Sequence, residues 1–192
     1  MSVVAGQSIH VNTSLTGLLA SVLIWVTSFT ALAADRNLVD GRVVSVTDGD
    51  TITLLDDSKQ QHKIRLDGID APEVGQPFGN RSKQSLADLA FDLRAEAICP
   101  KIGRYGRKVC KVSIAGADVG LAQIQRGMAW HFKRYEREQS EQDRAAYAAA
   151  EIEAREAGRG LWRDRMPVPP WEWREGRRKQ QQTAATAGAD AS

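Results

Sequence analysis

Residues 39–55 read VDGRVVSVTDGDTITLL, and this run limits the fold more than any other part of the chain. Val, Ile, Thr and Leu on both sides of Asp48-Gly49 predict two strands joined by a tight hairpin. Residues 61–69, QHKIRLDGI, add a third strand with Ile64, Leu66 and Ile69 in alternation. Three strands so linked form a curled antiparallel meander, and Pro72 stops the last of them.

Downstream, Leu86, Leu89, Ala90 and Leu93 recur at three- and four-residue spacing and predict a helix over about 78–94 with these residues buried. Residues 95–99 and 108–114 read as two further strands around the turn Gly103-Arg104-Tyr105-Gly106-Arg107. A second helix is expected over about 119–126, carrying Leu121 and Ile124 and stopping at Gly127. A third is expected over about 140–157, with Ser140 and Asp143 as a capping box and Tyr147, Ala150 and Ala154 as its packed stripe. Leu161-Trp162 is expected to fold back onto the core. Five strands with helices against them make a small α+β domain built on a β-barrel. No internal repeat is present.

The ends differ in character. Residues 15–34 are apolar and small, and no Lys, Arg, Asp or Glu precedes Asp35. Ala31-Leu32-Ala33 has the form of a leader-peptidase site, so residues 1–33 read as a signal peptide, with an uncleaved membrane anchor as the alternative. The folded domain then occupies 34–166. Cleavage implies export to the periplasm or beyond, an oxidising setting for Cys99 and Cys110. These two are either a disulfide across a hairpin or a pair of buried thiols. Residues 167–192 begin with an extended stretch expected at Pro167, Pro169 and Pro170, continue through Trp171, Trp173, Arg174, Arg177, Arg178 and Lys179, and end in a Gln/Ala/Thr tail expected to be disordered. That stretch serves either to grip nucleic acid or as a strap whose tryptophans cover the domain.

The net charge of +2, from 26 basic and 24 acidic residues, names no partner by itself. The carboxylates are more informative. Asp48, Asp50, Asp70 and Glu73 fall near strand ends of the meander. Taken singly, Asp-Gly and Asp-Ala-Pro-Glu are ordinary turns. Together they are hard oxygen donors suited to Ca²⁺ or Mg²⁺, and their spacing is not that of an EF-hand. The histidines, His10, His62 and His131, are scattered and offer no zinc cluster; His62 reads as a surface strand residue. Arg65 and Arg107 are placed to hold phosphate oxygens in the two-pronged manner that Lys does not match. A cation, a carboxylate and two arginines are what phosphodiester hydrolysis requires.

The segments VTDGDTITLL, IRLDGIDAPE, RYGRKV and Gly127-Met128-Ala129 occur in the order and spacing of the staphylococcal nuclease-like family, and the chain resembles it over about 39–165. The resemblance implies a five-stranded OB-type barrel with three packed helices. It implies Ca²⁺ held by Asp50, Asp70 and the main-chain carbonyl of Ala71, where the archetype has Thr, with Asp48 holding metal waters. Glu73 then orients or deprotonates the attacking water, and Arg65 and Arg107 bind the phosphate. Tyr105 lies beside the nucleotide, with Arg104 in place of a lysine. Tyr135 matches one substrate tyrosine and Lys133 replaces the other. The segment after Glu73 is shorter than in the archetype. The activity implied is sugar-nonspecific hydrolysis of DNA and RNA to 3′-phosphate ends. The oligomeric state is not readable from the residues, and a monomer is the default expectation. The rival readings are an OB module that binds nucleic acid without cutting it, and a purely structural calcium site.

Overall fold

The structure, a computed structural model, describes residues 37–103 and 106–189. The leader expected over 1–33, Arg104, Tyr105 and the end of the tail at 190–192 lie outside the described residues.

The meander forms as the alternation predicts. Strand β1 (Leu38–Asp48) pairs antiparallel with β2 (Thr51–Leu55), which pairs antiparallel with β3 (Gln61–Leu66). Asp48 faces Thr51, so the hairpin loop is the two residues Gly49 and Asp50. Two register shifts, between Val43 and Ser45 and between Val46 and Asp48, bend β1. Its first half then pairs with β5 (Arg94–Ile102). Strand β6 (Lys108–Ile114) pairs antiparallel with β5 and parallel with β3, Arg65 facing Val109. That last pairing closes β1, β2, β3, β6 and β5 into a five-stranded OB-type barrel, and with the helices below the domain is α+β. Val43, Ile52, Leu54, Ile64, Leu66, Ala97 and Val112 fill it. Cys99 and Cys110 are joined by a disulfide between β5 and β6, with Cα atoms 4.1 Å apart.

Strand β4 (Ile69–Asp70) leaves the barrel after Gly68 and pairs with β8 (Trp130–His131). Helix α1 (Gly79–Ala90) covers the barrel through Leu86 and Ala90. It ends earlier than its spacing predicts. Asp92 takes a positive φ of 63°, which Asp tolerates better than most residues, and Asp92 and Leu93 instead exchange backbone hydrogen bonds with Val43. Leu93 is therefore 45% exposed rather than buried. The short strand β7 (Ala117–Asp118) leads into α2 (Val119–Gln125), capped by the Asp118 carboxylate. Helix α3 (Glu141–Glu156) starts on Ser140, whose hydroxyl accepts from the Asp143 amide, and buries Tyr147, Ala150 and Ala154. Leu161 is buried against this assembly as expected.

A fourth helix, α4 (Pro170–Ala189), replaces the expected extended stretch and disordered tail. Pro170 stands at the first helical position, where its missing N–H costs nothing. Glu, Arg, Lys, Gln and Ala follow, all good helix formers, and Glu175 pairs with Lys179 one turn on at 2.8 Å. Trp171 anchors the helix, with its ring 5.7 Å from Phe132 and 6.4 Å from Trp130. Of the two roles open to this segment, the packing of Trp171 accords with a strap, in helical form.

Candidate active site

The hairpin loop at Gly49 and Asp50 is held from below. Gln123 on α2 donates to the Gly49 carbonyl at 2.8 Å and to the Ser82 carbonyl at 3.1 Å. Ser82 on α1 sits so close that a Cβ on Gly49 would lie 1.8 Å from its hydroxyl and 2.7 Å from Ala71 Cβ. Gly49 is thus required by packing, and its φ is not positive. Asp48 Oδ1 accepts from the Asp50 amide at 3.1 Å and turns the Asp50 side chain inward.

Asp50 and Asp70 are both buried and converge. Asp50 Oδ2 accepts from the Ala71 amide at 3.2 Å, and its Oδ1 accepts from the Thr51 hydroxyl at 2.8 Å. Arg65, reaching up from β3, lies between the two acids, 3.0 Å from Asp50 Oδ2 and 2.8 Å from Asp70 Oδ1. Burial pushes Asp50 up to about 6; Arg65 opposes the rise and Asp48 adds to it. Burial also works against the charge on Arg65, but Asp50 and Asp70 outweigh it and raise its pKa.

Glu73 follows in a tight loop that Gln76 organises. The Gln76 side-chain oxygen accepts from the Glu73 amide at 3.1 Å, and its nitrogen donates to the Val168 carbonyl at 2.6 Å. Gly79 allows the helix to start against this loop, since a Cβ there would lie 2.0 Å from the Glu73 carbonyl. The Glu73 carboxylate opens into the same cleft as Asp48, Asp50, Arg65 and Arg107. Arg107, in the turn before β6, is half-buried, and among the described residues its guanidinium has no hydrogen-bond or ion-pair partner.

Lys133 and Tyr135 occupy a 3₁₀ turn over Lys133–Glu138 on the cleft's far wall. Lys133 is tied to the buried Glu151 of α3 at 2.9 Å, and Tyr135 is 45% exposed with its ring 5.4 Å from Phe132. His62 departs from expectation: its side chain is 10% exposed and pairs with Asp56 at 2.7 Å.

The residue that sequence reasoning missed here is Arg174. From the first turns of α4 it donates to Asp70 Oδ2 at 2.6 Å, to Asp70 Oδ1 at 3.1 Å and to Glu73 Oε1 at 2.7 Å. These carboxylates raise its pKa against the effect of burial. The signal was present as Trp171, Arg174 and Arg178, spaced to share one helix face after a proline.

Buried hard oxygen donors, a carboxylate at the cleft and flanking guanidinium groups suit the holding of a divalent cation and a phosphate ester. Comparison with known proteins points to nucleases. The sequence model described as staphylococcal nuclease homologue matches residues 63–164. A protein named as an uncharacterized endonuclease from Haemophilus influenzae is 35% identical over 157 residues, 82% of this chain and 84% of its own length. The micrococcal nuclease of Shigella flexneri is 38% identical over 143 residues, 70% of this chain and 79% of its own. A probable staphylococcal-like nuclease of Oryza sativa subsp. japonica is 30% identical over 154 residues, 80% of this chain and 39% of its own. By the family match over residues 63–164 and by these relatives, the chain belongs to the staphylococcal nuclease homologue family.

Proposed function

We propose that this protein is a calcium-dependent nuclease that hydrolyses DNA and RNA without regard to sugar and leaves 3′-phosphate ends. The observation that carries the reading is the convergence of Asp50 and Asp70 on Arg65, with Glu73 and Arg107 opening into the same cleft. The donor set fits calcium. Asp50 and Asp70 supply buried carboxylate oxygens, the Asp50 carboxylate touches residue 71, and the Ala71 carbonyl supplies a further oxygen that asks nothing of the side chain. When bound, the cation supplies positive charge against the phosphate and lowers the pKa of water.

The chain's own groups do the rest. Glu73 takes a proton from water as that water attacks phosphorus. Arg65 and Arg107 hold the non-bridging oxygens and offset the charge that builds on them. The bond from phosphorus to the 5′ oxygen breaks, the leaving oxygen gains a proton, and the phosphate stays on the 3′ side. Asp48 orients water about the cation. Arg104, Tyr105, Lys133 and Tyr135 contact the nucleotide. Contacts to phosphate and stacking, rather than to base edges, leave the reaction indifferent to sequence. Export to the periplasm or medium is supported by the disulfide, which persists in oxidising compartments.

The test is digestion of plasmid and of labelled RNA with calcium and with chelator, with the phosphate-bearing product end identified. Cleavage in calcium alone, with 3′-phosphate ends and a loss of several orders of magnitude in Glu73→Gln, is the expected result. Intact nucleic acid under both conditions together with a mobility shift would overturn it in favour of a binding module.

A further inference from the structure

Helix α4 carries more than Arg174 into the cleft. Trp171, Arg174, Arg178 and Gln181 lie at i, i+3, i+7 and i+10, on one helical stripe, with Arg177 beside them, and all five line the cleft that holds Asp50 and Glu73. Arg177 and Arg178 are exposed, and neither has an acidic side chain within ion-pair distance among the described residues. Among the acids lining the cleft, Glu175 is matched by Lys179, Glu138 by Lys101, and Glu151 by Lys133 and Arg155. Arg107, Arg134, Arg177 and Arg178 all line this cleft without an ion-pair partner among the described residues, and leave it with a surplus of positive charge. Tyr135, 45% exposed, adds an aromatic face to the same cleft.

We infer that α4 is a second nucleic-acid-contacting wall, on which Arg177 and Arg178 take backbone phosphates of a single strand leading away from the scissile bond. The inference rests on the nuclease reading for the position of that bond. Arg174 fixes the register of the helix by its contacts to Asp70 and Glu73. Arg178 then stands one turn further from the carboxylates, about 6 Å along the axis at 1.5 Å per residue. Guanidinium groups on a rigid helix beside an aromatic face make a sequence-tolerant track for a strand. The occupant is a nucleic-acid strand rather than an anionic membrane because the basic stripe lines the same cleft as Asp50 and Glu73.

The experiment measures binding in the Glu73→Gln background by fluorescence anisotropy, with a single-stranded oligonucleotide of about 16 nucleotides across a salt series. Replacing Arg177 and Arg178 together by Gln is expected to weaken binding about tenfold and to lower the slope of log Kd against log salt by about 1.4, two phosphate contacts at about 0.7 each. The pair Arg177→Lys and Arg178→Lys keeps the charge and is expected to keep the slope, which separates lost phosphate contact from a disturbed fold. An unchanged slope in the Gln pair overturns the inference, as does tighter binding, which would make α4 a cover over the cleft. So does loss of adhesion to phosphatidylglycerol vesicles with no change on the oligonucleotide. The two readings separate cleanly. A parent that cuts DNA with no slope change in the Gln pair sinks the wall alone; a parent that never cuts while the slope falls sinks the nuclease reading alone.

Discussion

Arg174 Nη2 lies 2.6 Å from Asp70 Oδ2, although 104 residues separate the two in the chain, and Asp70 is wholly buried. Arg65 holds the other oxygen of the same carboxylate at 2.8 Å. The acids proposed to hold calcium thus share their charge between two guanidinium groups, one from the barrel and one from the C-terminal helix. A cation binding Asp70 competes with Arg174 for it. Arg174→Gln is therefore expected to bind calcium more tightly, by at least about fivefold, in titration calorimetry on the protein alone. Equal or weaker affinity would mean that Asp70 is not a shared ligand.

The Asp50 carboxyl gives a pH signature in calcium-free protein. Burial raises it to about 6, above its ordinary value of 3.8, so the folded state holds this proton more tightly than the unfolded chain. The sign follows: this contribution to stability is full below about pH 4 and is lost as pH rises through about 6. A shift of this size corresponds to on the order of 2–3 kcal/mol. In chelator, Asp50→Asn, which keeps the neutral form, is expected to match the parent near pH 4 and to exceed its melting temperature at pH 8. A difference that stays flat across that range would show that Asp50 does not titrate in this way.

Much of this was readable from the chain because it is local. The hairpin and third strand follow from alternation, and the acids fall within the two motifs that flank them. Arg65 precedes Asp70 by five residues, so one strand and its exit carry both. What was not readable depends on contacts distant in sequence. The parallel pairing of Arg65 with Val109 closes the barrel, yet nothing within either strand announces the partner. The need for glycine at 49 comes from Ser82, which the turn composition conceals. The prolines before Trp171 suggested an extended stretch, whereas Pro170 begins a helix that carries Arg174 to Asp70.

The two arginines proposed to bind phosphate differ in what else they do. Arg65 is sandwiched between buried Asp50 and Asp70, while Arg107 engages no carboxylate among the described residues. Removing one partner of a buried ion pair costs about 3–5 kcal/mol, and a half-exposed unpaired side chain about 0.5 or less. Both Arg65→Ala and Arg107→Ala are expected to lose cleavage, but only Arg65→Ala should lower the urea midpoint strongly. Comparable midpoints for the two variants would contradict the assigned partners.

The disulfide joins β5 to β6 around the turn that holds Arg107, closing a loop with a sequence separation of 11. The chain-entropy argument gives about 3 kcal/mol for a loop of this size. Reduction, or Cys99→Ser with Cys110→Ser, is expected to lower the melting temperature and to raise KM, since the ends of the Arg107 turn are no longer tied. If both values hold under reducing conditions, the bond contributes neither to stability nor to substrate binding.

Gly49 offers the most local test, because its hydrogen is all that fits between α1 and residue 71. An added methyl would meet Ser82 Oγ at 1.8 Å, Ser82 Cβ at 2.8 Å and Ala71 Cβ at 2.7 Å. Rotation of the Ser82 hydroxyl relieves the first contact and leaves the other two, so the hairpin loop itself must move. Overpacking of this kind costs about 1–3 kcal/mol. The loop carries Asp48 and Asp50, so the movement also pulls Asp50 from the Ala71 amide and from Arg65. Gly49→Ala is thus expected to lose stability and calcium affinity together, whereas Ser82→Ala, which removes only the hydroxyl and its bond to the Met128 carbonyl, should lose stability alone. Calorimetric titration of both variants decides the point: full calcium affinity in Gly49→Ala would show that the packing beneath the hairpin does not set the position of Asp50.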